Sequence, residues 1–367
     1  MTGATETRNT GEILVTRTGR LGHIVLNRPA TLNALTHAML QAIGRALDEW
    51  EHDDAVQTVL ISGAGERGLC AGGDIVAIYN DAQEGGGEAA SFWADEYAVN
   101  AKIAGYPKPY VAFMDGIVLG GGVGVSAHGS ARIVTERTRI GMPEVGIGFV
   151  PDVGGTYLLS RAPGELGTHV ALTGGMFTGA DAIELGLADH FVPSEALGLL
   201  AGALETVPAA VAIARFESAA PPSTLARQRA WIDECYRSDD ASEIVARLQA
   251  SDDPDARAAA SVLLTKSPSA VCITLESLRR ARRLDSVEEA LNQEYRVTLR
   301  LAASSEFLEG VRAQVIDKDR NPQWSPATLP DVDRTVVEGY FEGLGPRELG
   351  LSPHAAAPAG GADRSRS

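Results

Sequence analysis

The pattern of hydrophobic and polar positions divides the chain into an N-terminal part of short apolar blocks and a C-terminal part of long helical blocks. Residues 13–15 and 21–26 are apolar runs on either side of a turn at residues 18–20, and they predict a β-hairpin. Between residues 36 and 50 apolar positions recur at helical spacing, which predicts an amphipathic helix whose buried face contains Met39, Leu40, Ile43, Leu47 and Trp50.

Short buried strands alternate with glycine-rich turns and helical patterns as far as about residue 194. Residues 58–62 and 109–113 are such strands, and each is followed by a glycine turn and then a helix. After residue 194 the chain consists of Ala-, Leu-, Arg- and Glu-rich helical stretches to about residue 341, with breaks at 252–254 and 267–269. This order of elements predicts an α/β fold with a helical C-terminal region.

The same patterns predict four segments. Residues 1–11 are polar and residues 351–367 are of low complexity, so we expect both ends to be disordered. Residues 12–200 are predicted to form the α/β core, and residues 201–350 the helical C-terminal region.

Composition narrows the class of protein. The 367 residues carry a net charge of −16, which argues against a nucleic-acid binder, since such a protein shows a basic face. No apolar stretch reaches membrane-spanning length, and the three cysteines (Cys70, Cys235 and Cys272) lack the spacing of disulfide pairs. The N-terminus has neither a secretory signal nor an Arg-rich transit pattern. These features predict a cytoplasmic location.

Two glycine-rich turns are the first candidates for chemistry. Gly73 lies in the run 69–74 (LCAGGD) before a helix that Asp74 is expected to cap, and Gly121 opens a helical stretch over 121–128. Backbone N–H groups of one glycine in each turn can point at a single oxygen and form an oxyanion hole, worth about 3–4 kcal/mol per donor. Tight turns alone would explain either glycine, so the argument rests on their combination with acids.

Two carboxylates follow these turns. Glu144 precedes an apolar segment, so we expect it to be partly desolvated, with a raised pKa suited to a general base. The alternative for Glu144 is a surface ion pair. Asp152 precedes a predicted helix start, and a capping role and a catalytic role are equally compatible with that position.

Three other patterns are interpreted as non-functional. The run 63–68 (GAGERG) fits a dinucleotide fingerprint, but another turn follows it instead of a helix. Ser126 and His128 suggest a hydrolase motif, but residues two apart on a helix do not face each other. The seven histidines show no metal-binding spacing.

Taken together, these motifs resemble the crotonase (enoyl-CoA hydratase/isomerase) superfamily over about residues 12–195. The resemblance is carried by 25–29 (VLNRP), 69–74, 116–124 (GIVLGGGVG), 143–144 (PE) and 151–155 (PDVGG). Within that superfamily the chain most resembles the 3-hydroxyisobutyryl-CoA hydrolase branch, because stretches at 95–97, 190–192, 293–296, 307–313 and 316–319 match as well. The resemblance implies a crotonase-like ββα spiral core with a helical C-terminal region.

Departures from the hydratase pattern indicate the reaction. Hydratases have a first glutamate three residues after the middle glycine of the Gly-Gly-Gly turn, and this chain has Gly124 there. The second hydratase glutamate is kept as Glu144, and Asp152 appears eight residues later, where hydratases have glycine. The resemblance implies hydrolysis of a 3-hydroxyacyl-CoA, most closely 3-hydroxyisobutyryl-CoA in valine degradation, to the free acid and CoA.

The resemblance also implies roles for individual residues. Gly73 and Gly121 would bind the thioester oxygen, Glu144 would act as nucleophile or general base, and Asp152 would position the substrate hydroxyl and water. Glu96 would contact the substrate end, and Arg28 and Lys318 are candidates for the CoA phosphates. No metal or redox cofactor is expected, because CoA is part of the substrate and product. An acyl-CoA is the expected small-molecule partner, self-association into a homo-oligomer is expected, and a nucleic acid or membrane is not.

Two rival functions remain open at this point. One is an enoyl-CoA hydratase or isomerase acting on another acyl-CoA, against which Gly124 argues. The other is a non-catalytic acyl-CoA-binding protein, against which the complete set of glycines and acids argues.

Overall fold

The strands of the computed structural model lie in the first 191 residues, and the model describes residues 6–9, 11–85 and 87–353. The strands are β1 (Glu6–Asn9), β2 (Ile13–Thr18), β3 (Leu21–Leu26), β4 (Thr58–Gly63), β5 (Gly68–Cys70), β6 (Tyr110–Met114), β7 (Ile117–Leu119), β8 (Ala131–Val134), β9 (Arg139–Gly141), β10 (Phe177–Thr178) and β11 (His190–Phe191).

Across the described residues these strands form two sheets. The larger sheet has the order β1-β2-β3-β4-β6-β8-β11 and the smaller one β10-β9-β7-β5. The hairpin predicted at residues 13–26 is confirmed, because β2 and β3 pair antiparallel with Ile13 opposite Leu26. From β3 to β11 the larger sheet is parallel. In the smaller sheet β5, β7 and β9 are parallel, so the glycine turns after β5 and β7 leave the sheet at the same edge.

The helices follow the sequence pattern closely. They are α1 (His37–Glu51), α2 (Ile75–Glu84), α3 (Glu88–Ala104), α4 (Gly121–Gly124), α5 (Gly155–Ser160), α6 (Leu166–Thr173), α7 (Gly179–Glu184), α8 (Leu197–Leu204), α9 (Ala209–Phe216), α10 (Thr224–Cys235), α11 (Ala241–Ala250), α12 (Pro254–Leu263), α13 (Pro268–Ala281), α14 (Val287–Ala302), α15 (Ser305–Val311) and α16 (Arg334–Gly339). Arg312–Ile316 is a π-helix, and short 3-10 helices lie at Pro29–Thr31, Glu144–Ile147, Ser194–Ala196, Leu329–Asp331 and Gly345–Arg347.

Capping side chains explain several helix boundaries. Asp74 caps α2 as predicted, by accepting a hydrogen bond from Ala77 N, and Thr36 caps α1 by accepting one from Met39 N. Asp253 and Ser267 cap α12 and α13, which confirms the two predicted breaks. The helix predicted over 121–128 is shorter, because α4 ends at Gly124.

The C-terminal helices share a hydrophobic core with the α/β part. One cluster of buried residues contains Ile61 of β4 and Tyr97 of α3 together with Leu291 of α14 and Phe307 of α15. A second cluster joins the outer face of the larger sheet to α8 and α9. The core therefore continues across residue 200, and the segment boundary predicted there stays a prediction.

The two ends differ in part from the disorder expected of them. Residues 6–9 form β1, because their backbone pairs with β2 at the sheet edge. Leu351 is held to Asn292 by two hydrogen bonds. The remaining residues of the predicted disordered ends, 1–5, 10 and 354–367, lie outside the described part of the chain.

Among the described helices, none is by itself both long and apolar enough to cross a membrane, although α12 and α13, bent by 113°, meet the length and composition criteria as a pair.

Candidate active site

The first candidate oxyanion donor is Gly73, at the start of α2. Leu35 pairs with the backbone on both sides of it, donating to Gly72 O and accepting from Asp74 N. Because these bonds use the groups next to Gly73, its own N–H points away from Leu35 and out of the ladder.

The second donor is Gly121, the first residue of α4, whose N–H has no partner within the helix. Two distances between the turns show how closely they approach each other. A Cβ atom on Gly121 would lie 3.3 Å from Gly73 N, and one on Gly72 would lie 3.6 Å from Gly121 N. The structure therefore brings the two predicted donors together in a space that only glycine leaves open.

Three carboxyl groups surround these glycines. A Cβ on Gly121 would lie 2.5 Å from Oε1 of Glu96, and a Cβ on Gly120 would lie 2.9 Å from Oε1 of Glu144. Gly120 has φ +50° and ψ −118°, a conformation open essentially to glycine alone. The close approach of backbone and acids thus depends on the glycine sequence.

Glu96 and Glu144 are buried without neutralising partners. The two residues are 2% and 7% exposed, and Glu96 Oε1 and Glu144 Oε2 have no hydrogen-bond partner among the described residues. Burial, with repulsion from Asp152, raises the pKa of both groups well above the usual value, and Glu144 also raises the pKa of Glu96. The predicted desolvation of Glu144 is confirmed, and the alternative of a surface ion pair is wrong.

Asp152 belongs to the same cluster. It is buried, and its Oδ2 accepts a 2.7 Å hydrogen bond from the Tyr97 hydroxyl. Burial raises the pKa of Asp152, and the Tyr97 hydrogen bond opposes that rise. The alternative of a helix cap is wrong, because α5 begins after Gly154 and the Asp152 side chain makes no capping bond.

A side chain from the C-terminal region caps the start of α5 instead. Glu294 on α14 accepts hydrogen bonds from Gly154 N at 2.6 Å and Thr156 N at 2.9 Å. His128 donates from Nε2 to Val153 O at 2.8 Å, and burial lowers the pKa of His128 to about 4. Val153 has φ +53°, a strained conformation for a β-branched residue. These contacts fix the turn that carries Asp152.

Sequence reasoning missed Tyr97, Glu294 and Asn100 in this site. Tyr97 is fully buried and lies within 2.8 Å of Thr298 Oγ1 as well as Asp152. Asn100, one turn after Glu96 on α3, is buried beside Gly124, where hydratases have their first glutamate. A Cβ on Gly124 would lie 2.9 Å from Asn100 Nδ2 and 2.7 Å from Val153 Cβ. Glu96 and Asn100 are four residues apart, the spacing of one helix face, and this spacing is the one sequence signal that was available.

The two basic residues predicted to bind the CoA phosphates, Arg28 and Lys318, have different surroundings. Arg28 contacts Glu12, Asp74 and Ala34 O, and these contacts hold it beside the start of α2. Lys318 is exposed on the turn after the π-helix. A groove of about 130 Å³ lies next to Gly73 and is lined by residues that include Leu35, Asp74, Ile78 and Phe92. The roles of Arg28 and Lys318 stay predictions.

The interpretation of the remaining motifs is consistent with their surroundings. The run 63–68 leads into strand β5, not into a helix. Ser126 donates to Gly122 O within its own turn, while His128 bonds Val153 O. Cys70, Cys235 and Cys272 are free thiols.

Comparison with known proteins places these features in a family. The family model for enoyl-CoA hydratase/isomerase matches residues 21–341. The rat protein named 3-hydroxyisobutyryl-CoA hydrolase, mitochondrial, is 40% identical over 93% of this chain and 91% of its own length. The Arabidopsis thaliana protein named 3-hydroxyisobutyryl-CoA hydrolase 1 is 36% identical over 97% of this chain and 98% of its own length. The resemblance to this branch is confirmed.

Solved structures confirm the fold. A carnitinyl-CoA dehydratase from Mycobacterium thermoresistibile is 53% identical, with a TM-score of 0.89 over 92% of this chain and 98% of its own. An enoyl-CoA hydratase from Rhodobacter sphaeroides is 42% identical, with a TM-score of 0.88 over 93% of this chain and 100% of its own. The predicted crotonase-like core with a helical C-terminal region is therefore correct.

The relatives also correct one prediction. The rat, zebrafish and human relatives are mitochondrial by name, and this finding overturns the expected cytoplasmic location. The expectation rested on the absence of a transit pattern in the first residues. That absence carries no information about the location of related enzymes.

Proposed function

The chain belongs to the enoyl-CoA hydratase/isomerase family, and we propose that it hydrolyses the thioester of a 3-hydroxyacyl-CoA, most closely 3-hydroxyisobutyryl-CoA. The observation that carries this proposal is the buried pair Glu144 and Asp152 beside the Gly73 and Gly121 donors. The names of relatives at 36–40% identity over most of the chain support the same substrate.

In the proposed reaction, the Gly73 and Gly121 N–H groups bind the thioester oxygen and stabilise its negative charge as the carbonyl carbon becomes tetrahedral. Water supplies the oxygen that ends in the acid, and the carbon–sulfur bond breaks to release CoA. Glu144 acts either as general base on that water or as nucleophile through a mixed anhydride. No metal or redox cofactor takes part in these steps.

Asp152 is proposed to hold the substrate hydroxyl and water, and Glu96 to contact the acyl end. Three carboxyl groups this close share protons as one set. Because burial raises all three pKa values, and repulsion from Asp152 adds to the rise for Glu96 and Glu144, the set retains at least one proton at pH values where isolated carboxyls have none. One member can then accept a proton from water while another supplies one to the leaving thiolate.

Release of free thiol from 3-hydroxyisobutyryl-CoA tests this proposal. We expect Glu144→Gln and Asp152→Asn each to lower kcat by about a hundredfold or more. Glu136→Gln is the matched control, since Glu136 is exposed and bonds Ser194 outside the site, and it should keep full activity. Full activity in both site variants would contradict the proposal.

Hydration of an enoyl-CoA is the second candidate, favoured by the names of the two similar solved structures. The surroundings of Gly124 oppose it, because Asn100 and Val153 fill the space of a first glutamate. Water addition to crotonyl-CoA without thiol release would establish this candidate instead. Self-association stays a prediction that size-exclusion chromatography can test.

A further inference from the structure

Asn100 is a buried polar residue that the reaction described above does not use. Its side chain is completely buried, and neither Nδ2 nor Oδ1 has a hydrogen-bond partner among the described residues. Leaving both halves of a buried amide unpaired is costly, and buried amides are normally paired with protein, water or ligand. The residue therefore calls for a partner that the chain itself does not supply.

The position of Asn100 identifies where that partner would lie. Glu96 and Asn100 are four residues apart and share one face of α3, and Gly121 and Gly124 are three apart on α4. Glu96 faces Gly121 at the oxyanion donors, whereas Asn100 faces Gly124, with Nδ2 2.9 Å and Oδ1 3.1 Å from the Cβ position there. Asn100 thus lies one helical turn beyond the thioester position.

Asp152 borders the same place. Its neighbour Val153 also faces Gly124, with Cβ 2.7 Å from the Cβ position, and Tyr97 of α3 bonds Asp152 directly. Asn100 and the residue next to Asp152 therefore both lie against Gly124, one helical turn from the oxyanion donor Gly121.

We propose that Asn100 binds the hydroxyl group of the acyl chain and sets the preference for hydroxylated substrates. This inference rests on the proposed hydrolysis and deepens it. A hydroxyl group donates one hydrogen bond and accepts others, so it can donate to Asp152 and accept from Asn100 Nδ2. A carbon chain without the hydroxyl would leave the amide unpaired, which is the condition under which a site discriminates strongly.

The test compares 3-hydroxyisobutyryl-CoA with isobutyryl-CoA, which differs by that hydroxyl alone. We expect Asn100→Leu, which has a similar size and no hydrogen-bonding group, to lower kcat/KM for the hydroxylated thioester about 10- to 100-fold. The kcat/KM for isobutyryl-CoA should stay within about threefold of the native value or rise. Asn100→Ala, which adds no bulk, should give the same loss of preference and covers the case in which the leucine variant does not fold.

Asn292→Leu is the matched control, because Asn292 bonds Leu351 at the far end of the chain, and it should leave the preference unchanged. Equal losses on both thioesters in the Asn100 variants, or an unchanged preference, would overturn the inference while thiol release by the native protein upholds the hydrolase. Absence of thiol release from either thioester by the native protein would overturn the proposed function and this inference with it.

Discussion

The pKa values of the three buried acids in the site depend on a few individual side chains around them. Burial raises the pKa of Glu96, Glu144 and Asp152, and in the described part of the chain no basic side chain is paired with any of them. Trp93 lies one turn before Glu96 and stacks on Phe149 with ring centroids 5.7 Å apart, which excludes water from this side. The Tyr97 hydroxyl is the one side-chain contact that lowers the pKa of Asp152.

Tyr97→Phe removes that hydroxyl with little change of shape. Without the hydrogen bond the pKa of Asp152 should rise further, so the limb of the kcat/KM profile that depends on ionised Asp152 should move up by about one pH unit. Tyr106→Phe is the matched control, because Tyr106 donates to Leu47 O outside the site. An unmoved profile in Tyr97→Phe would show that Tyr97 does not govern the ionisation of Asp152.

Gly124 makes a second prediction at this scale. A Cβ there would lie 2.7 Å from Val153 Cβ, so Gly124→Ala should lower the free energy of unfolding by about 1–3 kcal/mol. Gly202 on α8 has open space around it, and Gly202→Ala should raise that free energy by about 0.5–1 kcal/mol. Urea denaturation measures both changes.

We also expect Gly124→Glu to show no hydration of crotonyl-CoA, and hydration at a hydratase-like rate would contradict this account of the site.

Helix α14 of the C-terminal region contacts the site directly. It carries Glu294, which caps α5, and Thr298, which contacts Tyr97. A helix of the C-terminal region therefore holds two of the groups that contact or precede α5 and Asp152 in the α/β core.

Glu294→Ala tests this coupling between elements. Loss of the cap should lower the free energy of unfolding by about 1–2 kcal/mol, and release of the turn holding Asp152 should lower kcat more than it changes KM. Glu289 at the start of the same helix accepts a hydrogen bond from Asp285 N, and its side chain makes no hydrogen bond to α5 among the described residues, so Glu289→Ala serves as the control. A loss of stability with unchanged kcat would show that the cap does not position Asp152.

The sequence was sufficient for elements and motifs that are local. The strands, the helix α1 and the caps Asp74, Asp253 and Ser267 depend on neighbours within a few residues, and Gly73, Gly121, Glu144 and Asp152 stood out through adjacent glycines and prolines. Tyr97 and Glu294 could not be recognised from the sequence, because they contact residues far away along the chain. Tyr97 is 55 residues from Asp152, and Glu294 is 140 residues from Gly154. The alternative of an Asp152 cap could not be excluded from the sequence for the same reason, since a carboxylate from α14 accepts the hydrogen bonds at the start of α5.

At the scale of the whole molecule, buried ionisable groups make the stability depend on pH in two opposite ways. Burial lowers the pKa of His23, His128 and His169 to about 4, so the unfolded chain binds more protons than the folded one between about pH 4 and 6.5. In this range the contribution of the three histidines to stability rises with pH. The buried carboxyls act in the other direction, because their raised pKa values let the folded state keep protons that the unfolded chain releases.

Glu294 separates the two effects. Burial raises its pKa from 4.5 to about 8, so Glu294 lowers stability progressively as pH rises between about 4.5 and 8. The histidines contribute equally to the native protein and to a Glu294 variant, so comparing the two isolates the contribution of Glu294. The expected contribution of Glu294 to this loss of stability is about 1.4 kcal/mol per pH unit. Glu294→Gln cannot ionise, and its free energy of unfolding, measured by urea denaturation at pH 6.5 and 8, should decline less steeply than that of the native protein. The native slope should persist in Glu289→Gln, and an equally steep decline in Glu294→Gln would show that Glu294 does not retain its proton in the folded state.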